Sequence, residues 1–453
     1  MLLRFLTSNY LSFHEEVEFN FFPRKKLRTH KDHIYSTPQI DLLKVSALYG
    51  GNGAGKSNFI KAIGFMREVV VEQRLKSKKA KGATPFLLDE TSESQPSQFE
   101  VEFYFEGKYY AYGLKIQGFE VLEEWLYEVQ PRKSQQELIF QRRSTGSGIS
   151  IDIPSRAQLE QEQQLLLNVY EEELLDPFTP FVWVVRDKDF LPGVKQTFQW
   201  FSERLVVIFP EAKYIPLVPR MVQESRFRNL VNRILPTLDT GVLGLEIQKL
   251  SAEDYFGENE SDVVKRLKSK LQNEEGGILY DAGKEWVYLT QDEQSQVVAH
   301  RLVARHAGDK VLEFFRESDG TRRILELLPA YEILLNRESV VFVDEIGRSL
   351  HPSLLRAFLE HFLNTPSKGQ LVFTTHESQL LDLKLFRQDE IWFIEKTQAG
   401  SSRLYSLSEF KPRYDLDIRR GYLHGRFGAV PDLWEFENLT LNDDSEKQEL
   451  QAG

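Results

Sequence analysis

A glycine-rich segment near the start of the chain has the composition of a phosphate-binding loop. Residues 50–57 read GGNGAGKS and match the pattern G-x-x-x-x-G-K-[ST]. Glycines let backbone N–H groups wrap a phosphate, and a helix that begins near Lys56 would point its positive end at the same anion. Lys56 is predicted to reach the β- and γ-phosphates, and the Ser57 hydroxyl to hold Mg²⁺. The candidate nucleotide-binding residues are Gly50, Asn52, Gly53, Ala54, Gly55, Lys56, Ser57 and Asn58.

Two adjacent acids at the end of an apolar run could complete such a site. Residues 340–343 read VVFV and are followed by Asp344 and Glu345. A buried strand with this ending predicts a Walker B element, in which Asp344 serves the Mg²⁺ ion and Glu345 polarises the attacking water. The alternative is that the two acids lie in a solvated turn. This alternative is disfavoured because Lys56 needs an acidic partner.

Two further features narrow the choice among phosphate-loop proteins. His376 follows the next apolar strand, and its position resembles that of the switch histidine with which ABC-type ATPases contact the γ-phosphate. Ser318 and Gly320 precede a helical run, and a helix N-terminus can bind an anion. Residues 318–321 are called the signature segment here. Its helix start has no phosphate to bind in its own chain, so it is predicted to contact the nucleotide of a second subunit. Taken singly, His376 could be a structural histidine whose hydrogen bonds are satisfied, and residues 318–321 could be an ordinary helix cap.

The elements around these motifs alternate between strand and helix. An apolar strand at 43–49 precedes the phosphate loop, and apolar residues at helical spacing follow Ser57. These flanking elements argue against a glycine-rich turn that matches the phosphate-loop pattern by chance. Alternating residues at 99–105 and 110–114 predict a β-hairpin. Further elements are predicted as strands at 340–343, 371–374 and 391–394 and a helix at 352–362. The fold class predicted from this rhythm is α/β, with a mostly parallel sheet.

At 453 residues the chain is long enough for two lobes or for a core that carries an insertion. Within the middle region, residues 156–175 predict a long exposed helix, and 198–208 and 227–235 have helical spacing. The expected domains are an N-terminal lobe at 1–150, a mainly helical insertion at 151–305, a C-terminal lobe at 306–437 and a flexible acidic tail at 438–453.

Composition and charge exclude several classes of protein. Hydrophobic residues make up 41% of the chain, which is enough for packed cores, and there is no cysteine for disulfides or thiolate metal sites. No apolar stretch approaches the length of a membrane span and the N-terminus does not read as a signal peptide, so we expect a cytoplasmic protein without membrane contact. The net charge of −11 argues against a protein that coats duplex DNA. Basic clusters at 24–28 and 74–81 could still contact DNA or an anionic partner, although solvated loops are the simpler interpretation.

Two other segments have a composition that could bind metal. Residues 29–33 read THKDH, but their polar setting favours a solvated loop. Asp415 and Asp417 form an acidic pair with too little chain around it for a nuclease domain, so a surface pair is expected. Any nuclease activity is therefore expected to come from a partner.

Together, several motifs resemble those of the OLD-like, SMC-related ABC ATPases of bacteria. The pattern is most similar to the abortive-infection ATPases called RloA or AbiLii, which are related to AriA of the PARIS system and PtuA of Septu. The signature reads Ser-Asp-Gly-Thr instead of Leu-Ser-Gly-Gly-Gln, and Gln98 is a weak candidate for a Q-loop glutamine. The resemblance rests on residues 4–13, the phosphate loop, the signature segment, residues 344–352, residues 374–376 and residues 425–431.

This resemblance implies a P-loop NTPase with an ABC/SMC-head-like core, an antiparallel β-subdomain, and ATP and Mg²⁺ as cofactors. It also implies a head-to-head homodimer around two ATP molecules, with larger rings such as a hexamer. A separate effector subunit, commonly a TOPRIM or HNH nuclease, would be held or released by the ATPase, with DNA or a phage protein as trigger.

Three functions follow from these observations. The leading hypothesis is a regulatory ATPase of a two-component anti-phage defence system, which senses infection and controls a toxic effector. The first alternative is a DNA-repair ATPase of the SMC or RecF kind, which the acidic balance disfavours. The second is a scaffold that uses ATP as a structural clamp without hydrolysis, which the presence of both Glu345 and His376 disfavours.

Overall fold

Most of the chain is described by the computed structural model, namely residues 1–76, 82–145, 148–210, 217–257, 261–272, 276–283, 285–413 and 416–430. Within these ranges no helix has the length and apolar character needed to cross a membrane. The expected tail at 438–453 lies outside the described residues.

The strands, in chain order, are β1 (Leu2–Ser8), β2 (Val17–Asn20), β3 (Ile34–Ser36), β4 (Asp41–Leu43), β5 (Val45–Tyr49), β6 (Ser97–Phe105), β7 (Lys108–Gln117), β8 (Glu120–Gln130), β9 (Gln135–Thr145), β10 (Gly148–Asp152), β11 (Leu205–Ile208), β12 (Gly244–Ser251), β13 (Ile278–Asp281), β14 (Trp286–Gln291), β15 (Val297–Arg305), β16 (Val311–Glu313), β17 (Val340–Val343), β18 (Gln370–Thr374), β19 (Ile391–Lys396) and β20 (Ser402–Ser406). The α-helices are α1 (Lys56–Glu72), α2 (Gln161–Val169), α3 (Phe181–Val184), α4 (Val194–Gln199), α5 (Leu217–Gln223), α6 (Ser225–Ile234), α7 (Ala252–Phe256), α8 (Ser261–Leu271), α9 (Asp319–Asn336), α10 (Pro352–Asn364) and α11 (Ile418–Leu423).

A six-stranded core sheet carries the predicted motifs. Its order is β11-β17-β18-β5-β19-β20, and it is parallel except for the edge pair of β19 and β20. Every residue of β5, β17 and β18 is buried, as expected for strands covered on both faces. Phe342 packs in the cluster that contains α1, whereas Val341 and Val343 pack with α9 and α10. Alternate side chains thus face opposite helical layers, which confirms the predicted α/β fold.

A seven-stranded antiparallel sheet packs on the other side of α1. Its order is β10-β9-β8-β7-β6-β1-β2. The predicted hairpin is confirmed as β6 and β7, joined by Glu106 and Gly107 with φ of 49° and 84°, as a two-residue hairpin turn requires. Phe65 of α1 contacts Phe99 of β6, with ring centroids 5.4 Å apart, and the same core contains Leu48 of β5. The phosphate-loop helix is therefore fixed between two sheets.

The middle of the chain corrects the prediction of a mainly helical insertion at 151–305. It contains most of a five-stranded antiparallel sheet, in the order β12-β15-β14-β13 with β16 paired to β15. Of the helical spacing predicted at 198–208, residues 198–204 are helical, whereas Leu205–Ile208 form β11, which joins the core sheet parallel to β17. The run LVVI of β11 is short, apolar and β-branched, and such a run fits a buried strand as well as a turn of helix.

The predicted long exposed helix at 156–175 is shorter and interrupted. A 3₁₀ turn spans Arg156–Gln158, α2 follows, and a π-helical turn at Tyr170–Leu174 ends the segment. Leu167 is fully buried, so α2 packs on one side instead of standing in solvent. The helix predicted at 227–235 is confirmed as α6.

Helix α9 joins the inserted region to the core sheet. Leu325 and Leu328 lie in one hydrophobic cluster with Leu302 of β15. Leu327 and Leu334, on another side of the same helix, lie in the cluster that covers the core sheet. Helix α9, which begins at the signature segment, therefore packs against both the inserted sheet and the core sheet.

Candidate nucleotide-binding site

Three predicted motifs meet at the carboxyl edge of the core sheet. The phosphate loop follows β5, Asp344 and Glu345 follow β17, and His376 follows β18. These strands are adjacent and parallel, so their carboxyl ends lie side by side, where open α/β sheets bind ligands. The cleft there is lined by Asn52, Gly53, Ala54, Gly55, Lys56, Ser57, Asn58, Glu345 and His376.

The phosphate loop has no room for side chains at two of its glycines. A Cβ atom on Gly50 would lie 2.2 Å from the carbonyl oxygen of Ile394, and one on Gly55 would lie 2.3 Å from Ser402 Oγ. Gly55 also has φ 114° at the N-cap of α1, a conformation that strains residues with a side chain. Glycine at these positions therefore lets the loop turn directly into the helix and lets its backbone come close to a phosphate.

A serine bridge that the sequence analysis did not identify holds this loop. Ser402 Oγ, at the start of β20, donates to the carbonyl oxygen of Ala54 (2.6 Å) and lies 2.8 Å from Ser12 Oγ. Asn58 Nδ2 donates to the same Ser12 hydroxyl (2.9 Å). The bridge joins two segments far apart in the chain; Ser12 belongs to the resemblance at residues 4–13, but no local pattern marks Ser402. The amide of Asn58, a candidate nucleotide contact, supports the loop in this state.

Lys56 has the environment of a phosphate-binding lysine. Its side chain is buried, and Nζ donates to the carbonyl oxygens of Gly50 (2.9 Å) and Gly51 (3.0 Å). Burial lowers the pKa of Lys56 to about 8, against attraction from Asp344 and Glu345. Anionic phosphate oxygens in place of these neutral carbonyls would favour the charged ammonium group. The buried cation, the glycine backbone and the helix N-terminus thus fit a nucleotide phosphate chain.

One threonine hydroxyl holds both Walker B acids. Thr374 Oγ1 donates to Asp344 Oδ1 (2.6 Å) and accepts the backbone N–H of Glu345 (2.7 Å). Glu345 has φ 49°, which is strained for a non-glycine residue and persists where the surroundings enforce it, often at functional sites. Glu345 lines the cleft, whereas Asp344 is buried behind it, so Ser57 is the predicted Mg²⁺ ligand that lines the cleft directly. The sequence analysis included Thr374 in residues 374–376 of the family resemblance but assigned it no role.

His376 lines the cleft and is exposed to solvent. Its pKa is lowered by partial desolvation and by repulsion from the Lys56 ammonium group, while Glu345 and Asp344 oppose the shift. The neutral imidazole is therefore favoured when no phosphate is bound. A neutral imidazole can still donate one N–H to a phosphate oxygen.

Arg323 of α9 contacts the Walker B segment, which the sequence analysis also did not identify. The residue is 5% exposed, and Nη2 donates to the carbonyl oxygen of Asp344 (3.3 Å). Its Nε and Nη1 atoms have no hydrogen-bond partner among the described residues, and burial lowers the pKa of Arg323. The guanidinium group therefore connects the helix that begins at the signature segment with the Walker B turn.

The signature segment forms the helix start that was predicted, outside the cleft of its own chain. Ser318 Oγ accepts the backbone N–H of Thr321 (3.1 Å) and caps α9. A Cβ atom on Gly320 would lie 2.6 Å from the carbonyl oxygen of Ser349, so glycine allows the loop after Walker B to pack closely. Neither Ser318 nor Gly320 lines the cleft described above.

Comparison with protein families decides the classification. A family model described as "AAA domain, putative AbiEii toxin, Type IV TA system" matches residues 45–182 and 217–382. The chain belongs to this AAA family. The matched ranges include the phosphate loop, the signature segment, both Walker B acids and His376, so all the predicted site residues lie within the family domain.

Solved structures and curated proteins add little to this AAA-family assignment. An SMC head bound to the C-terminal winged-helix domain of ScpA aligns at 13% identity and a TM-score of 0.38, over 90% of this chain and 99% of that one. The SMC head domain from Thermotoga maritima aligns at 12% identity and a TM-score of 0.34, over 89% and 98%. At these scores neither alignment carries an argument about function. No curated protein matches the sequence.

The two basic clusters are in part engaged within the AAA-family chain itself. Lys76 forms an ion pair with Asp176 (2.9 Å), and Arg74 pairs with Glu68. Arg24 Nη1 donates to the carbonyl oxygen of Ser408 (2.8 Å). The remaining lysines of the second cluster, Lys78, Lys79 and Lys81, lie outside the described residues.

The segment at 29–33 corrects the prediction of a solvated loop. His33 is 2% exposed, and its Nδ1 atom lies 3.0 Å from both carboxylate oxygens of the buried Glu390. The pattern THKDH could not show this burial, because the partner comes from a distant part of the sequence. Of the acidic pair, Asp417 caps α11 by accepting the N–H of Arg420 (2.9 Å), whereas Asp415 lies outside the described residues.

Proposed function

We propose that the chain binds ATP and Mg²⁺ and hydrolyses ATP in a site that a second copy completes. The observation that supports this best is the division of the motifs. The phosphate loop, Glu345 and His376 line one cleft, whereas Ser318 caps a helix outside it. Since this helix N-terminus lies outside the phosphate-binding cleft of its own chain, it is suited to bind the γ-phosphate of ATP held by a partner subunit.

Bound ATP would supply a γ-phosphoryl group that passes to water, giving ADP and phosphate, while Mg²⁺ offsets the phosphate charge. Lys56 Nζ exchanges its two carbonyl acceptors for β- and γ-phosphate oxygens. Ser57 and Asp344 supply the oxygen atoms that a hard divalent cation prefers. Glu345 accepts a hydrogen bond from the attacking water and orients it, and His376 donates to a γ-phosphate oxygen.

Replacing Glu345 with Gln tests the hydrolytic role. The amide keeps the shape of the side chain and loses the negative charge that orients water, so kcat should fall by roughly 10²- to 10⁴-fold while ATP still binds. Glu377→Gln, near His376 but outside the cleft lining, is the matched control and should keep its turnover. Trapped ATP should also shift the Glu345→Gln variant toward dimers in light scattering. Undiminished turnover of Glu345→Gln would exclude the role; absence of turnover in the unmodified protein would favour an ATP-clamped scaffold.

We further propose that the protein is the regulatory subunit of a bacterial anti-phage system and controls a separate, nuclease-like effector. The family description, which names a putative toxin of a toxin–antitoxin system, is consistent with a role in the control of growth. The motifs that resemble the RloA or AbiLii type support the same role. In this account ATP-dependent closure of two subunits is the signal that holds or releases the effector.

A plaque assay tests this role in cells. Expression of the gene with its neighbouring genes should lower the efficiency of phage plating, and Lys56→Ala should restore it. The Glu377→Gln control should protect as the unmodified protein does. Protection that survives Lys56→Ala, or no protection in a panel of unrelated phages, would contradict the defence role without bearing on the ATPase activity.

A further inference from the structure

Two histidines and an aspartate converge on the short 3₁₀ helix Lys31–His33, which precedes β3. Ligand atoms of His30, Asp32 and His33 all lie within 4.8 Å of one another. His33 is buried, His30 is half-buried and Asp32 is exposed. The cluster lies outside the nucleotide cleft, and no role assigned so far uses it.

The hydrogen bonds of the two imidazoles leave one nitrogen of each with a free lone pair. His33 Nδ1 lies 3.0 Å from both oxygens of Glu390 and donates to that carboxylate, so Nε2 is the acceptor nitrogen. His30 Nε2 lies 2.9 Å from the carbonyl oxygen of Leu383, which can only accept, so Nδ1 carries the lone pair. A histidine whose other nitrogen is held by a carboxylate or a carbonyl is the usual arrangement of a metal ligand.

The segment that carries these residues is fixed to the C-terminal part of the chain. Arg387 Nη1 donates to the carbonyl oxygen of Thr29 (2.7 Å), and the backbone N–H of Arg24 donates to Asp389 Oδ2 (2.7 Å). His30 has φ 46°, an uncommon backbone conformation for a residue with a side chain. The centroids of the His30 and His33 imidazole rings lie 4.8 Å apart, with an angle of 24° between the ring planes. The two rings are therefore pre-positioned on a rigid support.

We propose that His30 Nδ1, His33 Nε2 and the Asp32 carboxylate bind one divalent transition-metal ion, with zinc as the best fit, and that Glu390 positions His33. Imidazole nitrogen is a borderline donor that suits zinc, and zinc also accepts a carboxylate oxygen, whereas magnesium and calcium prefer ligand sets made of oxygen atoms. Bonds of about 2.0–2.1 Å place tetrahedral donors about 3.3 Å apart, so the cluster must contract. The exposed Asp32 can make that movement, and water can take the fourth position.

The proposed metal would act as a structural clamp and not in ATP hydrolysis. Lys44 N–H donates to the carbonyl oxygen of His33 (2.9 Å) just before β5, and Glu390 immediately precedes β19. Both lie at the amino ends of core strands, whereas the phosphate loop lies at the carboxyl end of β5. A five-residue strand spans about 16 Å. The ion would fix residues 30–33, and His33, held by Glu390, would connect this segment to the entrance of β19 at the opposite edge of the sheet.

Zinc titration of the full-length, metal-stripped protein tests the proposal, with a chromophoric chelator as competitor. The unmodified protein should bind one Zn²⁺ per chain, and Zn²⁺ should raise its Tm. His30→Ala and Asp32→Asn should weaken binding by roughly 10- to 100-fold or more, since loss of even an outer partner costs that much. His424→Ala, an exposed histidine elsewhere, and Asp344→Asn, in the nucleotide site, should leave this one equivalent intact.

Glu390→Gln tests the positioning role, because the amide oxygen can still accept from His33 but holds no charge. Zinc affinity should fall while one equivalent still binds at saturation. The proposal does not depend on the folding of variants at the buried His33 and Glu390, since Asp32 is exposed. It would be overturned if the unmodified protein bound no zinc against the competitor, or if Asp32→Asn and His30→Ala bound it as tightly as the unmodified protein.

Discussion

Thr374→Val removes a single hydroxyl that supports both acids of the proposed catalytic pair. The threonine is fully buried, and its Oγ1 atom bonds Asp344 Oδ1 at 2.6 Å and the Glu345 N–H at 2.7 Å. Valine has nearly the same shape, so the packing at the end of β18 is preserved. The change therefore isolates the two hydrogen bonds.

The expected size of the effect follows from those bonds. Loss of a hydrogen bond to a charged group costs about 1.5–3 kcal/mol, and a buried N–H left without an acceptor costs about 1–3 kcal/mol. If losing one such bond raises the activation free energy by about 1.5–3 kcal/mol, kcat falls by about 10- to 150-fold, because about 1.36 kcal/mol corresponds to a factor of ten in rate. ATP affinity should change little, since the phosphate loop is not touched.

Steady-state ATPase kinetics and equilibrium ATP binding measure the two effects separately. Thr374→Ser keeps the hydroxyl and loses one methyl group, so it is the matched control and should retain most of the turnover. Thermal unfolding shows whether the valine variant is folded under the assay conditions. A folded Thr374→Val protein with unchanged kcat would refute the assignment of Thr374 and the role of the Glu345 geometry.

Two further predictions concern the phosphate loop. ATP affinity should fall as the pH rises from about 7 to about 9.5. The reason is that Lys56, with its pKa lowered to about 8, loses its charge over this range. An affinity that does not change with pH in fluorescent-nucleotide titrations would count against this prediction. Gly50→Ala should abolish ATP binding, since its Cβ atom would lie 2.2 Å from the Ile394 carbonyl oxygen. Gly53→Ala should weaken binding only mildly, because no atom lies within 4 Å of its Cβ position and only the φ of 72° strains it. Equal ATP affinities of the two variants would contradict the steric argument.

The sequence predicts the site residues that belong to contiguous motifs. The phosphate loop and the acids after β17 are local patterns, and their meeting follows from the rule that adjacent parallel strands end at one edge. The roles of Thr374, Ser402 and Arg323 escaped prediction because each acts through a contact with a different segment of the chain. Their residue types are common, so only the fold reveals their partners.

The errors in the fold have a similar cause. The run of β11 is too short for its periodicity to separate strand from helix, and the neighbour that decides is β17, which comes much later in the chain. His33 appeared to belong to a solvated loop because its partner, Glu390, is 357 residues away. Local pattern therefore predicted the elements around the site better than it predicted the inserted region.

The central claim is that two copies of the chain share each ATP site, and mixing two inactive variants tests it most directly. Lys56→Ala damages the phosphate loop, whereas Ser318→Arg damages the signature segment that would serve the partner. A mixed pair contains one intact site, formed by the unchanged Lys56 of one chain and the unchanged Ser318 of the other. Free exchange in an equal mixture should restore about a quarter of the unmodified activity in a two-fold symmetric dimer.

The matched control mixes Lys56→Ala with Glu345→Gln. Both residues line the same cleft of one chain, so no pairing of these two variants restores an intact site. The account predicts that each variant alone is inactive, that the first mixture recovers activity and that the second does not. Full ATPase activity of Ser318→Arg alone, or recovery in neither mixture when subunit exchange is demonstrated, would contradict a shared site.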